Sequence, residues 1–299
     1  MRINTNVSSL TAQESAVNTN KSITNSLEKL SSGLRINKAA DDASGLAIAD
    51  KLRTQVTSIN QGVSNGNSAI ALLQIADKSM AEQSTILDTI KAKLIQANTD
   101  TTSSAGRTAI AKDVNKLLDQ LNNIAKQTNY NGTALLQKDT KSSAAGVAAS
   151  SGLTFQVGES TADLIKTKTI QANVTGLSLS FLKSNVSAGA KYTNVNGTVT
   201  GTAFTKVMAS AGQKAIDDAI TKLNGYRGDI GSTQNQVESA VRNLATQATN
   251  IKNAESVIRD VDYAQESANY NKLNIIAQAG SYAISQANST QQNVLRLLQ

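Results

Sequence analysis

The residues with chemistry to offer in this 299-residue sequence are its paired carboxylates. Asp41-Asp42 stands beside Arg35 and Lys38, Asp217-Asp218 lies in the C-terminal third, and Asp260 and Asp262 follow Arg259. Neighbouring carboxylates with cations close by have the make-up of an acid–base pair or of hard-metal ligands. The chain contains no histidine and no cysteine, however. That removes the usual zinc ligands, the Ser-His and Cys-His dyads and the HExxH motif. It also removes thiolate nucleophiles, disulfides and iron–sulfur clusters. Carboxylate or Ser/Lys catalysis is the only enzyme chemistry left open.

The elements that would position such groups are helical. There is no proline, where average usage would place roughly 15 in a chain of this length. A residue that breaks helix interiors and removes a backbone donor is thus absent. From 44 to 98, Leu52, Ile59, Gly66, Leu73, Met80, Leu87 and Leu94 recur every seven residues, with Val56, Val63 and Ile70 between the first of them. Such an a/d seam predicts a coiled-coil-like helix about 80 Å long, a rod rather than an ordinary globular helix. After a Thr/Ser-rich break, Ile110, Val114, Leu117, Leu121 and Ile124 predict a second helix folding back antiparallel, stopped at Asn129-Tyr130-Asn131-Gly132. Gly45 and Gly66 weaken the helical pattern; close helix approach would compensate, with a local hinge as the alternative.

The C-terminal third repeats the pattern. Ile216, Ile220, Leu223, Ile230, Val237, Val241, Leu244, Ala248, Ile251 and Ile258 share one register, interrupted by Arg227, Gln234 and Glu255. Both chain ends carry narrower stripes: Leu10, Val17, Ile23, Leu27, Leu30 and Leu34 at one, and Leu273, Ile276, Ile284, Val294, Leu295 and Leu298 at the other. Each stripe is marginal alone and needs a partner surface. A rod with adhesive helical ends is the design of a polymer subunit, and a heterologous contact that does not close makes a helical filament. Residues 141–213 differ, holding 8 of the 18 glycines and all three phenylalanines. There Leu153 to Gly158 and Leu177 to Phe181 alternate like strands. The fold class is therefore mainly α: a long antiparallel coiled-coil-like helical rod with a small β-hairpin or β-rich insert and amphipathic terminal helices. No run of about 18 apolar residues exists, so no membrane-spanning segment is predicted, and the polar start Met1 to Asn6 does not read as a secretory leader.

Longer motifs carry a resemblance. Leu30-Ser31-Ser32-Gly33-Leu34-Arg35-Ile36-Asn37 followed by Ala39-Ala40-Asp41-Asp42-Ala43-Ser44-Gly45-Leu46-Ala47-Ile48-Ala49 closely resembles the signature of bacterial flagellins. So do Met1 to Leu10, Tyr130-Asn131-Gly132 with Leu135-Leu136, and the stretch Phe155-Gln156-Val157-Gly158. Ala254 to Glu266, Gln278-Ala279-Gly280, Gln286-Ala287-Asn288 and Gln292 to Leu298 are similar to the flagellin C-terminus. The likeness covers roughly 1–137 and 213–299 with a hairpin between. It implies an inner filament-core domain from 1–42 and 265–299, a rod domain from 43–170 and 206–264 with its hairpin near 152–170, and a short variable outer insert at 171–205.

The resemblance also implies roles. Leu10, Val17, Leu27, Leu30, Leu34, Leu273, Ile276, Ile284, Val294, Leu295 and Leu298 would form the polymer-core interface. Leu52, Ile59, Leu73, Met80, Ile220, Val241, Leu244 and Ile251 would pack the rod. Phe155, Gln156, Val157 and Gly158 would be the hairpin switch that sets waveform. The Asp41-Asp42 pair becomes a set of helix-boundary charges in a network between subunits, and the other acid pairs read as solvated or subunit-bridging. Ser178, Ser180, Ser184 and Ser187 are candidates for O-linked sugars. No cofactor is implied and no catalytic or metal site. The partners implied are copies of the chain itself, a flagellar export chaperone, the filament cap and the hook-junction proteins. The place implied is the extracellular flagellar filament, reached by type III export, for which missing disulfides and X-Pro bonds leave no slow folding step. The implied function is a self-polymerising filament subunit for swimming; a hook–filament junction protein is the alternative.

The charge distribution separates a filament from a nucleic-acid binder. Of the net +7, residues 141–213 supply 6 basic and 2 acidic side chains, whereas 214–299 hold 8 of each. There is no Lys/Arg stripe with interleaved aromatics, so duplex binding is not expected. One departure from the family pattern concerns the Toll-like receptor that senses flagellin. Where enteric-type flagellins resemble LQRVRELAVQ, this chain has Thr89 for the first Arg, Ala92 for Glu and Lys93 for Leu. An arginine anchor is lost and a lysine faces a pocket suited to leucine. A reporter cell line carrying that receptor is therefore expected to respond far more weakly than to an enteric-type flagellin; equal potency would overturn the reading.

Overall fold

The structure, a computed structural model, describes residues 6–137, 152–190, 193–195, 198–200 and 203–297. Its helices are α1 (Val7–Ser32), α2 (Ala43–Asn98), α3 (Ser104–Gln127), α4 (Ser180–Ala190), α5 (Lys206–Arg259) and α6 (Tyr263–Leu297). Its strands are β1 (Asn129–Tyr130), β2 (Thr133–Ala134), β3 (Thr154–Gln156), β4 (Leu164–Lys166), β5 (Thr193–Val195) and β6 (Thr198–Thr200), paired antiparallel as β1–β2, β3–β4 and β5–β6. The mainly helical fold that periodicity predicts is what forms, and α2 and α5 run without a break for 56 and 54 residues.

The chain divides into two compact units: residues 1–57 with 246–299, and residues 58–245. The division falls inside α2 and α5, not at their ends. In the larger unit, three helices pack antiparallel. Lys91 meets Asp217 at 2.5 Å and Asp77 meets Arg227 at 2.9 Å, so α5 runs against α2. Arg107 Nε donates to the Ala97 carbonyl at 3.0 Å, and Lys93 Nζ to Asp113 at 2.9 Å, so α3 folds back along α2. Leu73, Met80, Leu87, Ile90 and Leu94 from α2 join Leu118 and Leu121 from α3 and Ile216 and Leu223 from α5 in one continuous core.

Three details depart from the periodicity. The buried stripe of α3 is Ile110, Ala111, Val114, Leu118, Leu121 and Ala125, while Leu117 and Ile124 flank it half-buried. The helix meets neighbours on both sides, which shifts its covered face by about one residue. Residues 177–181 are not a strand. Ser178 takes a left-handed φ of 63°, and α4 begins at Ser180. Leu179, Leu182 and Val186 then face the core on a helical period, leaving Phe181 65% exposed, where strand alternation would have covered it. The 171–205 segment is consequently part of the larger unit's packing: Leu177, Leu179, Leu182, Val186 and Phe204 are all buried in its core.

Two features fix the hairpin β3–β4 onto the helices. Gln83, wholly buried, donates from Nε2 to the Leu121 carbonyl at 3.1 Å and the Ala172 carbonyl at 2.8 Å, joining α2 to α3 and to the chain beyond β4. Gly62 lies so close to the hairpin that a Cβ there would sit 2.3 Å from the Val157 carbonyl oxygen, and one at Gly66 would sit 2.4 Å from Val241 Cγ2 on α5. Close helix approach thus does account for Gly66. Val157 and Ile165 of the hairpin cover Ala69 of α2 and Val237 of α5 in a second small cluster. By contrast, Gly225, Gly228 and Gly231 on α5 have nothing within 4 Å of a built Cβ. Gly62→Ala is expected to lower stability by about 1–3 kcal/mol through overpacking. Alanine at 225, 228 or 231 is expected to raise it by up to about 1 kcal/mol each. Urea unfolding of the four variants checks the opposite signs.

Candidate assembly surface

The smaller unit is built from two linkers and the helices they join. Asp42 Oδ1 accepts from the Gly45 amide at 2.9 Å, and Asp262 Oδ1 accepts from those of Ala264 and Gln265 at 2.9 and 3.1 Å, so each caps the start of a long helix. Asp41 Oδ2 accepts from the Asn37 and Lys38 amides, both at 3.0 Å, and closes the turn between α1 and α2. Gly33 ends α1 with a φ of 73°, which a side chain would resist. Its carbonyl accepts from the Val261 amide at 3.0 Å, and the Arg35 amide donates to the Arg259 carbonyl at 2.6 Å, which ties the two linkers together. Three of the acids that sequence presents as possible chemistry, Asp41, Asp42 and Asp262, are therefore backbone acceptors at helix starts and turns, while Asp260 accepts from the Ser256 hydroxyl. Among the described residues no group of three or more metal-ligating side chains forms, and Asp217 is paired with Lys91.

Helices α1 and α6 pack antiparallel. Asn6 Nδ2 donates to the Ala287 carbonyl at 3.2 Å at one end, and Ser26 Oγ donates to Glu266 Oε1 at the other. The covered positions of α1 are Ser9, Ala12, Ala16, Thr19, Ile23, Ser26 and Leu30; those of α6 are Glu266, Tyr270, Leu273, Ala277, Gly280, Ile284 and Ala287. Both sets step by three and four, so the seam is coiled-coil-like but mostly small or polar.

Large apolar side chains of the pair point outward instead. Leu10, Val17 and Leu27 are 55%, 53% and 51% exposed, and Ile275, Ile276 and Tyr282 are 66%, 43% and 73% exposed. Of the predicted interface residues, Leu10, Val17, Leu27 and Ile276 are thus open, while Leu30, Leu34, Leu273 and Ile284 are half-buried within the unit. Val294 and Leu295 belong to α6, but their side chains, and Leu298 altogether, lie outside the described residues. Sequence reading missed Ile275 and Tyr282. Their heptad spacing is visible once α6 is known to pair along its other face.

The remaining predicted positions fall in both units. Ile59, Leu73 and Met80 are buried, Ile220, Val241 and Leu244 are half-buried against the larger unit's clusters, and Leu52 and Ile251 are half-buried in the smaller one. Phe155 and Val157 pack inward while Gln156 faces solvent, and Gly158 stands between them and the hairpin turn. Thr89 and Ala92 are exposed, and Lys93 is engaged by Asp113. Ser178, Ser180 and Ser184 are exposed and Ser187 is half-buried. An open groove of about 500 Å³ between the β3–β4 hairpin and α5 is lined by Val157, Leu164, Ala240 and Leu244, with Asp163 its one charged side chain. Gln236, Ser239 and Asn243 complete the wall, which sets no second titratable group beside that carboxylate.

Amides of Lys38 and Asn37 donating to the Asp41 carboxylate hold it below its ordinary value of 3.8. A lowered folded-state pKa stabilises above the unfolded value and stops doing so as pH falls through the folded one. The contribution of Asp41 is therefore present at neutral pH and lost below 3.8. Asp41→Asn is expected to flatten the acid limb of the stability–pH curve without changing the helix content at neutral pH, as acid titration followed by circular dichroism will show. Asp262→Ala, which removes the cap of α6, is expected to cost about 1 kcal/mol and to speed amide exchange in the first turn of α6.

A bacterial flagellin N-terminal helical region matches residues 3–141, and a bacterial flagellin C-terminal helical region matches residues 213–298. The flagellin of Bacillus subtilis is 33% identical over 303 residues, covering all of both chains. The flagellar filament 33 kDa core protein of Treponema phagedenis is 33% identical over 298 residues, again covering both completely. A solved structure of a putative flagellar hook-associated protein from Vibrio parahaemolyticus shares the fold, with a TM-score of 0.57 at 15% identity over 73% of this chain and 99% of that one. Matched at both helical ends and along its full length, the chain belongs to the bacterial flagellins.

Proposed function

We propose that this flagellin polymerises through the outward face of the α1–α6 pair. The observation that carries the reading is the exposure of Leu10, Val17, Leu27, Ile275, Ile276 and Tyr282 on two helices whose mutual seam is mostly small or polar and leaves these side chains out. Apolar side chains left open on that scale mark an interaction surface, and in a helical homopolymer the surface that covers them belongs to further copies of the same chain. As a flagellin, the chain is a structural subunit of the extracellular flagellar filament, and self-association is its central activity. The terminal unit supplies the interlocking contacts between copies, and the larger unit, with its buried Leu/Ile seam, resists bending. The hairpin at Phe155 to Gly158, held over Gly62, is the element whose small shifts set waveform. An export chaperone, the filament cap and junction proteins meet the same exposed terminal helices. The exposed Thr89 and Ala92 with the engaged Lys93 weaken recognition by the innate receptor.

Leu10→Glu combined with Leu27→Glu is expected to abolish growth of long filaments from purified subunits while leaving helix content unchanged. Sedimentation and electron microscopy check this. Filaments of ordinary length from the double variant would overturn the reading.

A further inference from the structure

We propose that Asn131 is a site of spontaneous covalent modification, converting to aspartate and isoaspartate in the folded protein. The sequence contains four Asn-Gly pairs, at 65–66, 131–132, 196–197 and 224–225, and Asn196-Gly197 lies outside the described residues. In the reaction, the Gly backbone nitrogen loses its proton to solvent base and attacks the Asn side-chain carbonyl carbon. A carbon–nitrogen bond forms, ammonia leaves, and a five-membered cyclic imide results. Water then opens the ring at either carbonyl, giving aspartate or the isoaspartyl isomer. No oxidant, metal or enzyme is needed, because water and hydroxide balance every step. Two requirements follow: the glycine nitrogen must be reachable, and the Asn backbone must be free to turn toward it.

The fold grants both at one of the three described pairs. Asn65 and Asn224 lie inside α2 and α5, whose backbone amides are committed to the helix ladder. Asn65 is further held by its side chain, with Oδ1 accepting from Gln61 at 3.0 Å and Nδ2 donating to the Gln156 carbonyl at 3.2 Å, and Gly66 beside it is buried. Reaction at either site requires opening a helix of more than fifty residues. Asn131-Gly132 is instead the two-residue turn of the β1–β2 hairpin, with left-handed φ values of 49° and 81°, and both residues are exposed. Nothing lies within 4 Å of a built Cβ at Gly132. A hairpin with strands of two residues each costs far less to open than a helix of more than fifty residues.

The consequence is local and directional. The isoaspartyl product adds one methylene to the main chain at a turn whose register, Tyr130 with Thr133 and Asn129 with Ala134, depends on a two-residue loop. It also replaces a residue suited to left-handed backbone and adds a negative charge. The disturbance is next to Leu135 and Leu136, which are buried in the core of the larger unit.

The test is to incubate the purified full-length protein at mildly alkaline pH and follow each Asn-Gly peptide by mass spectrometry with isoaspartate detection. Conversion at Asn131 is expected to exceed that at Asn65 and Asn224 by at least about tenfold in the folded protein, since each 1.4 kcal/mol of opening cost gives that factor. In denaturant the three rates should converge. Equal rates in the folded protein would overturn the proposal, and so would an Asn131 excess that persists unchanged in denaturant. Asn131→Gln, which keeps the amide but lengthens the side chain, should abolish the product at that position.

Discussion

The antiparallel pairing of α2 with α5 is the constraint on which the larger unit depends. Residues far apart in the chain are brought together by it: Asp77 with Arg227, Lys91 with Asp217 and Gly66 with Val241. The pairing is held mainly by burial of Leu73, Met80, Leu87 and Leu94 against Ile216, Leu223 and Ile230. The ion pairs, at least partly open to solvent, add register more than stability. Everything else in that unit is fastened to this pair. Helix α3 closes the bundle, Gln83 anchors the chain after the hairpin, and the hairpin itself rests where glycines keep the surface of α2 low.

The smaller unit follows the opposite logic. Its seam is mostly Ser, Ala, Thr and Gly, joined by Ile23, Leu30, Leu273 and Ile284, and it leaves out the large side chains of Leu10, Val17, Leu27, Ile275, Ile276 and Tyr282. Those side chains face outward. A pair of helices arranged in this way is incomplete by itself, since most helix stability comes from covering an apolar face. For a flagellin this is a useful division. The larger unit has its own core, whereas the terminal unit leaves large apolar side chains open to solvent. Three of the acids that stood out as possible chemistry, Asp41, Asp42 and Asp262, satisfy backbone amides where the chain turns between helices.

Much of this was legible from periodicity. A seven-residue repeat over 44–98, with no proline to interrupt it, specifies a long helix wherever it is placed, and α2 spans Ala43–Asn98. Asn131-Gly132 specified a turn, and it forms one with both residues left-handed. The readings that failed involved two elements competing for one face. Leu177 and Leu179 fit a strand pattern, but Leu182 and Val186 beyond them supplied a helical period that buried more surface. Leu118 rather than Leu117 faces inward because α3 touches more than one neighbour. The outward role of Ile275 and Tyr282 was hidden for a similar reason, as a helix with apolar residues on two sides does not say which side its intramolecular partner takes.

By itself, the sequence determined what depends on covalent type and local spacing: the long helices, the exclusion of histidine and cysteine chemistry, the tight turn, and the family motifs at both ends. Only the tertiary structure decided what depends on residues far apart. It made Asp42 and Asp262 into caps, buried Gln83 between two carbonyls, brought Gly62 against Val157, and turned Leu10, Leu27 and Tyr282 away from the seam. The physical reason is that a stripe of apolar residues fixes the face a helix will bury, while the identity of its partner depends on packing between segments that sequence spacing does not relate.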